Sequence, residues 1–213
     1  MLEINIITLF PNLFEEFKKV LPFNRAIKNN LIKFNIINLK DFALDERGTV
    51  DDKPYGGGTG MILRPEPLFN ALESIQNKEE VIALTPKGKT FNQQIALDLS
   101  KKKSITLICG RYEGIDQRII DNLTTQEISI GNFVCAGGEA PAITILERIV
   151  RLIPGILEEE VTTKESFTEN TLEHPQYTRP EIFNNWKVPE VLVSGNHKEI
   201  ENWKKQNSKE ITS

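Results

Sequence analysis

Two β-branched runs in this chain, residues 104–109 (SITLIC) and 127–130 (EISI), each end in a glycine-rich turn, and the second turn opens directly into an apolar helix. The turns are CGRYEGID (residues 109–116) and IGNFVCAGGEAPA (residues 130–142). A third, KPYGGGTGM (residues 53–61), lies in a stretch without periodicity. Glycine lets backbone approach a ligand closely and supplies positive φ where a turn needs it. In open parallel sheets, ligands bind at turns beyond the strand C-termini. Two such turns in one half of the chain therefore suggest a small-molecule cofactor site on an α/β scaffold.

The rest of the pattern agrees. Strands are expected at residues 3–8, 34–38, 81–85, 104–109 and 127–130, the third closed by Pro86-Lys87-Gly88. Between them, helices are expected at 12–20, capped by Asn12 with Leu13, Phe14, Phe17 and Val20 on one stripe, and at 65–75, 92–101 and 116–123. The longest apolar helix spans 139–153 and is stopped by Pro154-Gly155. Such alternation implies an α/β domain with a mostly parallel sheet. Residues 45–61 form a long loop, of the kind that carries function or moves. After Gly155 the periodicity stops. Residues 156–172 read as a linker, residues 174–189 as proline-marked and irregular, and Ser194-Gly195-Asn196 caps a short helix at 197–206 that carries Trp203.

Composition narrows the class. The chain has 213 residues, enough for one large domain, or a main domain and a small one. No apolar run approaches the roughly 20 residues of a membrane span, and the N-terminus reads as a first strand, not a signal peptide. Cys109 and Cys135 are the only cysteines, and both read as reduced, buried thiols of a cytoplasmic protein, with a disulfide between them left open. The net charge of −4 argues against nucleic acid globally but leaves local patches open. Lys18, Lys19, Arg25, Lys28 and Lys33 form one such patch, and Lys87, Lys89 and Lys101 to Lys103 another; on charge alone both read as solvated faces.

Each motif has a plain structural reading beside the functional one. KPYGGGTGM is neither a Walker loop nor a dinucleotide fingerprint; it is either a flexible loop or a backbone surface for a phosphate or a base face. CGRYEGID is either a tight βα turn with solvated charges or the wall of a cofactor pocket. In IGNFVCAGGEAPA a helix-entry turn explains one glycine, with Pro141 in the first helical turn, but not three. Arg151 reads on its own as an i,i+4 partner of Glu147. His174 and His197 are too few and too separated for a metal site, and no nucleophile–base constellation is present.

Taken together and in order, LFPNLF, NRAIKNNL, TVDDKPYGGGTGM, LTPKG, LICGRYEGID, ISIGNFVCAGGEAPA, RLIPGIL, ESF, LEHPQYTRP and VPEVLVSGNH resemble the bacterial tRNA (guanine-N1)-methyltransferases. The matching stretches run from Ile6 to about His197, and the pairing of DDKPYGGGTGM with GRYEGID is highly specific. The resemblance implies methyl transfer from S-adenosyl-L-methionine to N1 of guanine 37 in tRNA. It implies a SPOUT-type α/β fold with a deep trefoil knot, an unusual topology for any chain. It also implies a homodimer with active sites at the subunit interface and leaves room for a Mg²⁺ requirement. Residues 1–157 would then be the knotted cofactor-binding domain, 158–172 an interdomain linker, and 173–213 a shortened C-terminal helical module for tRNA.

Carried over by motif, the cofactor site comprises Leu84, Thr85 and Pro86; Gly110, Tyr112 and Glu113; and Ile130, Gly131, Phe133, Cys135, Gly137, Gly138 and Pro141. Tyr55, Gly56, Gly57, Gly58, Gly60 and Glu173 would meet tRNA. Arg151 and Glu165 would be catalytic, the carboxylate removing the N1 proton and the arginine stabilising charge that builds on O6. The chain departs from the family pattern at Glu165 and Glu173, where aspartate is usual, and at Asn132, where aspartate follows IG. Relatives are also expected to continue beyond Ser213 with a basic helical stretch. These departures motivate an alternative, a non-catalytic or altered-specificity RNA-binding relative of the same fold.

Overall fold

The computed structural model describes residues 1–157, 166–167 and 171–210. Internal contacts divide the chain into two units, Met1–Leu157 and Glu158–Ser213.

The first unit is built on a five-stranded sheet. In chain order it contains β1 (Leu2–Thr8), α1 (Pro11–Phe17), α2 (Phe23–Lys28), β2 (Ile32–Asn38), a short ladder of β3 (Asp51–Asp52) with β4 (Ile62–Leu63), α3 (Pro65–Glu73), β5 (Glu80–Thr90), α4 (Gln93–Ser100), β6 (Ser104–Cys109), α5 (Gln117–Leu123), β7 (Gln126–Ser129) and α6 (Glu139–Arg151). The sheet order is β2-β1-β6-β5-β7, with every pair parallel. This is the expected α/β fold with a parallel sheet.

Both faces of the sheet are covered, which is why its strands read as continuous apolar runs. Alternate residues serve different cores. Ile82, Leu84, Ile105 and Leu107 pack with Phe14 of α1, Phe23 of α2, Leu99 of α4 and Ile145 and Ile149 of α6. Val81, Ala83 and Ile108 face the other way, against Leu68 and Leu72 of α3 and Ile119 of α5. Every residue of β6 is buried.

Several local expectations change. Asn12 does not cap α1: the N-cap is Phe10, Pro11 opens the helix, and Leu13 and Val20 are exposed while Phe14 is buried. Proline suits that first position because its missing N–H would have no helical partner there. α2 was not foreseen; it follows Pro22 with no side-chain cap. The third strand does not stop at Pro86-Lys87-Gly88. It continues to Thr90 with a register break, Leu84 and Lys89 both facing Ile128, so that residues 85–88 loop out of the ladder. Proline, which has no N–H for a ladder, fits such a bulge.

The second unit is small and polar. Residues Thr171–Leu172 (β8) pair with Lys209–Glu210 (β11), and Ile182–Phe183 (β9) with Trp186–Lys187 (β10). The helices α7 (Glu190–Val193) and α8 (His197–Asn207) complete it, Asn196 capping α8 through the Glu199 N–H. His174 and Tyr177 pack edge-on against Trp203. Most of the expected linker lies outside the described residues; Thr171 and Leu172, at its end, are in a strand.

Candidate functional site

The bulge within β5 and the turns that follow β6 and β7 converge on one cavity of about 310 Å³. The β5 bulge contributes Leu84, Thr85 and Pro86. The β6 turn contributes Gly110, Tyr112 and Glu113. The β7 turn contributes Ile130, Phe133, Cys135, Gly137 and Gly138, and α6 adds Pro141. The residues singled out in the sequence for a cofactor thus lie together, except Gly131, which is not in the lining. A Cβ at Gly131 would lie 2.6 Å from a Phe133 ring carbon, so this glycine makes room for that ring. Cys135 is half-buried in the turn and Cys109 is fully buried in β6, and both are free thiols. The expectation that both are buried is therefore corrected for Cys135, which sits beyond the strand.

The sequence reading missed Arg111, and with it the group that ties the turns together. Its Nε donates to Glu139 Oε2 at 3.0 Å and its Nη1 to the Ala136 carbonyl at 3.2 Å. Its guanidinium lies 4.2 Å from the Phe10 ring centroid. Glu139 is buried, and its other carboxylate oxygen accepts from Thr8 Oγ1 at 2.9 Å. Glu139, at the first position of α6, thus links the ends of β1, β6 and α6 around the cavity. Losing Arg111 would leave the buried Glu139 carboxylate without its cationic partner, which is destabilising. Gln117 and Ile120 of α5 were also missed, although their i,i+3 spacing puts them on one helical face toward the cavity.

The turn after β6 is held from outside by β4. Glu113 N–H donates to Met61 O at 2.9 Å, Leu63 N–H to Gly114 O at 3.0 Å, and Asp116 N–H to Leu63 O at 3.1 Å. Tyr112 has a φ of +57°, an uncommon conformation for a residue other than glycine, and it is 55% exposed at the cavity. The glycine loop that precedes β4 is exposed, with Tyr55 projecting fully into solvent and Gly56, Gly57, Gly58 and Gly60 all at positive φ.

Arg151 is half-buried in the last turn of α6. Glu165 lies outside the described residues. Glu173, in the second unit, is exposed, and its N–H donates to Ser166 Oγ at 3.0 Å. The basic residues near the start are partly neutralised by neighbours: Lys18 pairs with Glu15, Lys19 with Glu16 and Lys33 with Glu3. Among the described residues, no group of three or more His, Cys, Asp or Glu could hold a metal ion, and no helix is long and apolar enough to cross a membrane.

The cavity can take a nucleoside-sized ligand. Leu84, Ile128, Ile130 and Pro141 offer apolar walls for a flat base, and the glycine turns bring peptide groups to the same space. Glu113 supplies a carboxylate for a cationic group.

The chain matches the model of the family described as tRNA (Guanine-1)-methyltransferase TrmD over residues 2–213. It is 47% identical over 214 residues to a tRNA (guanine-N(1)-)-methyltransferase of Clostridioides difficile, covering 98% of this chain and 93% of the relative. It is 45% identical over 212 residues to a protein of the same description from Dehalococcoides mccartyi, covering 97% and 86%. A relative from Dictyoglomus turgidum is 47% identical over 208 residues, covering 97% and 84%. With near-complete coverage and all three glycine turns inside the match, the chain belongs to the TrmD family of tRNA (guanine-N1)-methyltransferases.

Proposed function

We propose that this protein transfers a methyl group from S-adenosyl-L-methionine to N1 of a guanine in tRNA, the guanine at position 37 beside the anticodon. The observation that carries the reading is the convergence of the β5, β6 and β7 turns on one cavity in a chain of this family.

In this reading the cavity holds the cofactor, which supplies a methyl group on a positively charged sulfonium. The apolar walls receive the adenine, the peptide groups of the turns at Gly110 and Gly137 meet its polar edges, and the Glu113 carboxylate faces the cationic part. Guanine N1 carries a proton and is a poor nucleophile until it is lost. Glu165 is the general base, and Arg151 stabilises negative charge that builds on O6. The exposed loop of Tyr55, Gly56, Gly57, Gly58 and Gly60 contacts the RNA, together with Glu173. The target guanine must leave the anticodon stack to reach the site, at a cost of a few kcal/mol.

The deep trefoil knot belongs to the same reading, and the path of the chain supports it. β7 lies beyond β5 from β6, yet the chain then returns to β6, where Gly138 is hydrogen-bonded to Gly110. We assign residues 1–157 to the knotted cofactor-binding domain, 158–172 to a linker and 173–213 to a tRNA-binding module, in a cytoplasmic homodimer. Leu13, Val20 and Leu21, each exposed in the segment after β1, support a second copy as partner.

The test is labelled-methyl transfer to tRNA transcripts with and without a guanine at position 37, followed by mapping of the modified nucleotide. Label at N1 of guanine 37, absent from the other transcript, is the expected result. Equal transfer to both transcripts overturns the position, and transfer to neither overturns the activity.

A further inference from the structure

We propose that Gly60 is a positioning residue for Glu113, holding its carboxylate at the cavity wall. The inference rests on reading the cavity as the S-adenosyl-L-methionine site. The glycine loop and the cavity turn are joined by backbone: Met61 O accepts from Glu113 N–H at 2.9 Å, and Leu63, fully buried, continues the ladder through Gly114 and Asp116. Just before that junction Gly60 faces the Glu113 side chain with no room for a Cβ. A Cβ at Gly60 would lie 2.6 Å from Glu113 Cγ and 2.9 Å from Cδ. These are atoms of a flexible, exposed side chain, so an added methyl pushes Glu113 aside.

The neighbouring glycines separate this contact from backbone strain. Gly57 has a φ of +82° and Gly60 of +83°, so a side chain is strained at both. A Cβ at Gly57, however, meets nothing within 4 Å. Gly60 is thus the position where the loop's shape is imposed on the side chain of a cavity-lining residue.

The experiment is calorimetric titration of S-adenosyl-L-methionine into the protein without RNA, for the wild type, Gly60→Ala, Gly57→Ala, Glu113→Ala and the double variant Gly60→Ala/Glu113→Ala, each checked to be fully folded at the titration temperature. Gly60→Ala and Glu113→Ala should each weaken binding about tenfold, within the usual range of coupling between sites. Gly57→Ala should stay within about twofold, as for a surface substitution that touches nothing. The double variant should bind no worse than Glu113→Ala alone, because the side chain that Gly60 accommodates is already gone. Additive losses in the double variant, or equal losses at Gly57 and Gly60, overturn the inference. Failure of the wild type to bind overturns the reading of the cavity itself, and the inference with it.

Discussion

Gly138 donates its backbone N–H to the carbonyl of Gly110 at 2.8 Å, and no side-chain atom fits between the two segments. A Cβ on Gly138 would stand 2.6 Å from Cys109 Cα and 2.8 Å from Gly110 N. Its φ is −78°, so the glycine is required by the closeness of two backbones and not by an unusual conformation. The returning chain is locked against the end of β6 at the point where both segments line the cavity.

Gly138→Ala should therefore destabilise the fold, beyond any effect on a ligand. The opposing atoms are backbone and cannot rotate away, so overpacking of about 1–3 kcal/mol is expected. Denaturant titration without cofactor checks this. A midpoint equal to that of the wild type would show that the two segments part freely.

The two cysteines should differ sharply in reactivity. Burial pushes the Cys109 thiol well above its ordinary value, nearby Glu139 adds to the effect, and Arg111 opposes it. Cys135 is half-exposed on the cavity wall. Iodoacetamide should modify Cys135 and leave Cys109 untouched in the native protein, since exposed thiols react and buried ones do not. Added S-adenosylhomocysteine should slow the modification about tenfold or more by occupying the cavity. Peptide mass spectrometry reads both positions, and equal rates with and without that ligand would take Cys135 off the site.

The N-terminal end of β5 carries a pH-dependent element. Burial raises the Glu80 carboxyl pKa, but hydrogen bonds from Lys102, Thr125 and Gln126 outweigh it and leave it below the usual value. A carboxyl with a depressed folded pKa adds stability that is complete above its unfolded pKa and is lost as the pH falls through the folded one. Glu80→Gln should cost about 0.5–1 kcal/mol at neutral pH, after discounting for solvent near this pair. The difference from wild type should shrink to nothing below the carboxylate range. A gap in melting temperature that stays constant with acidification would assign the effect to packing.

The central strands were legible because burial on two faces leaves an unambiguous apolar run, and β6 has the expected ends. The bulge in β5 was not, because Pro86-Lys87-Gly88 has the composition of a terminating turn, and only the partner strand shows the ladder resuming at Lys89. Arg111 was passed over because a charged residue in a glycine turn reads as solvated; its partner Glu139 is 28 residues away in sequence. Gly138 lines the cavity, as expected, but its closeness to the backbone of Cys109 and Gly110 is not legible in the sequence. Local pattern locates turns well, but which turns meet is decided by contacts far apart in the chain.

Glu165 carries the chemical step in the proposed mechanism, because N1 of guanine must lose a proton and the resemblance of the ESF stretch assigns that role to its carboxylate. Glutamine keeps the size of the side chain but cannot accept the proton at neutral pH. Glu165→Gln should lower the single-turnover rate about 10²–10⁴-fold, the usual weight of acid–base catalysis, while binding of tRNA and S-adenosyl-L-methionine changes little. Glu165→Asp is the sharper measurement. If the surrounding chain is adapted to the longer side chain, shortening it should also slow transfer, since a displacement of about 1 Å can cost roughly 10²-fold. A faster aspartate variant would mean that glutamate is the poorer base in this setting. A glutamine variant as fast as the wild type would remove Glu165 from the mechanism and move the search for the base to Glu173.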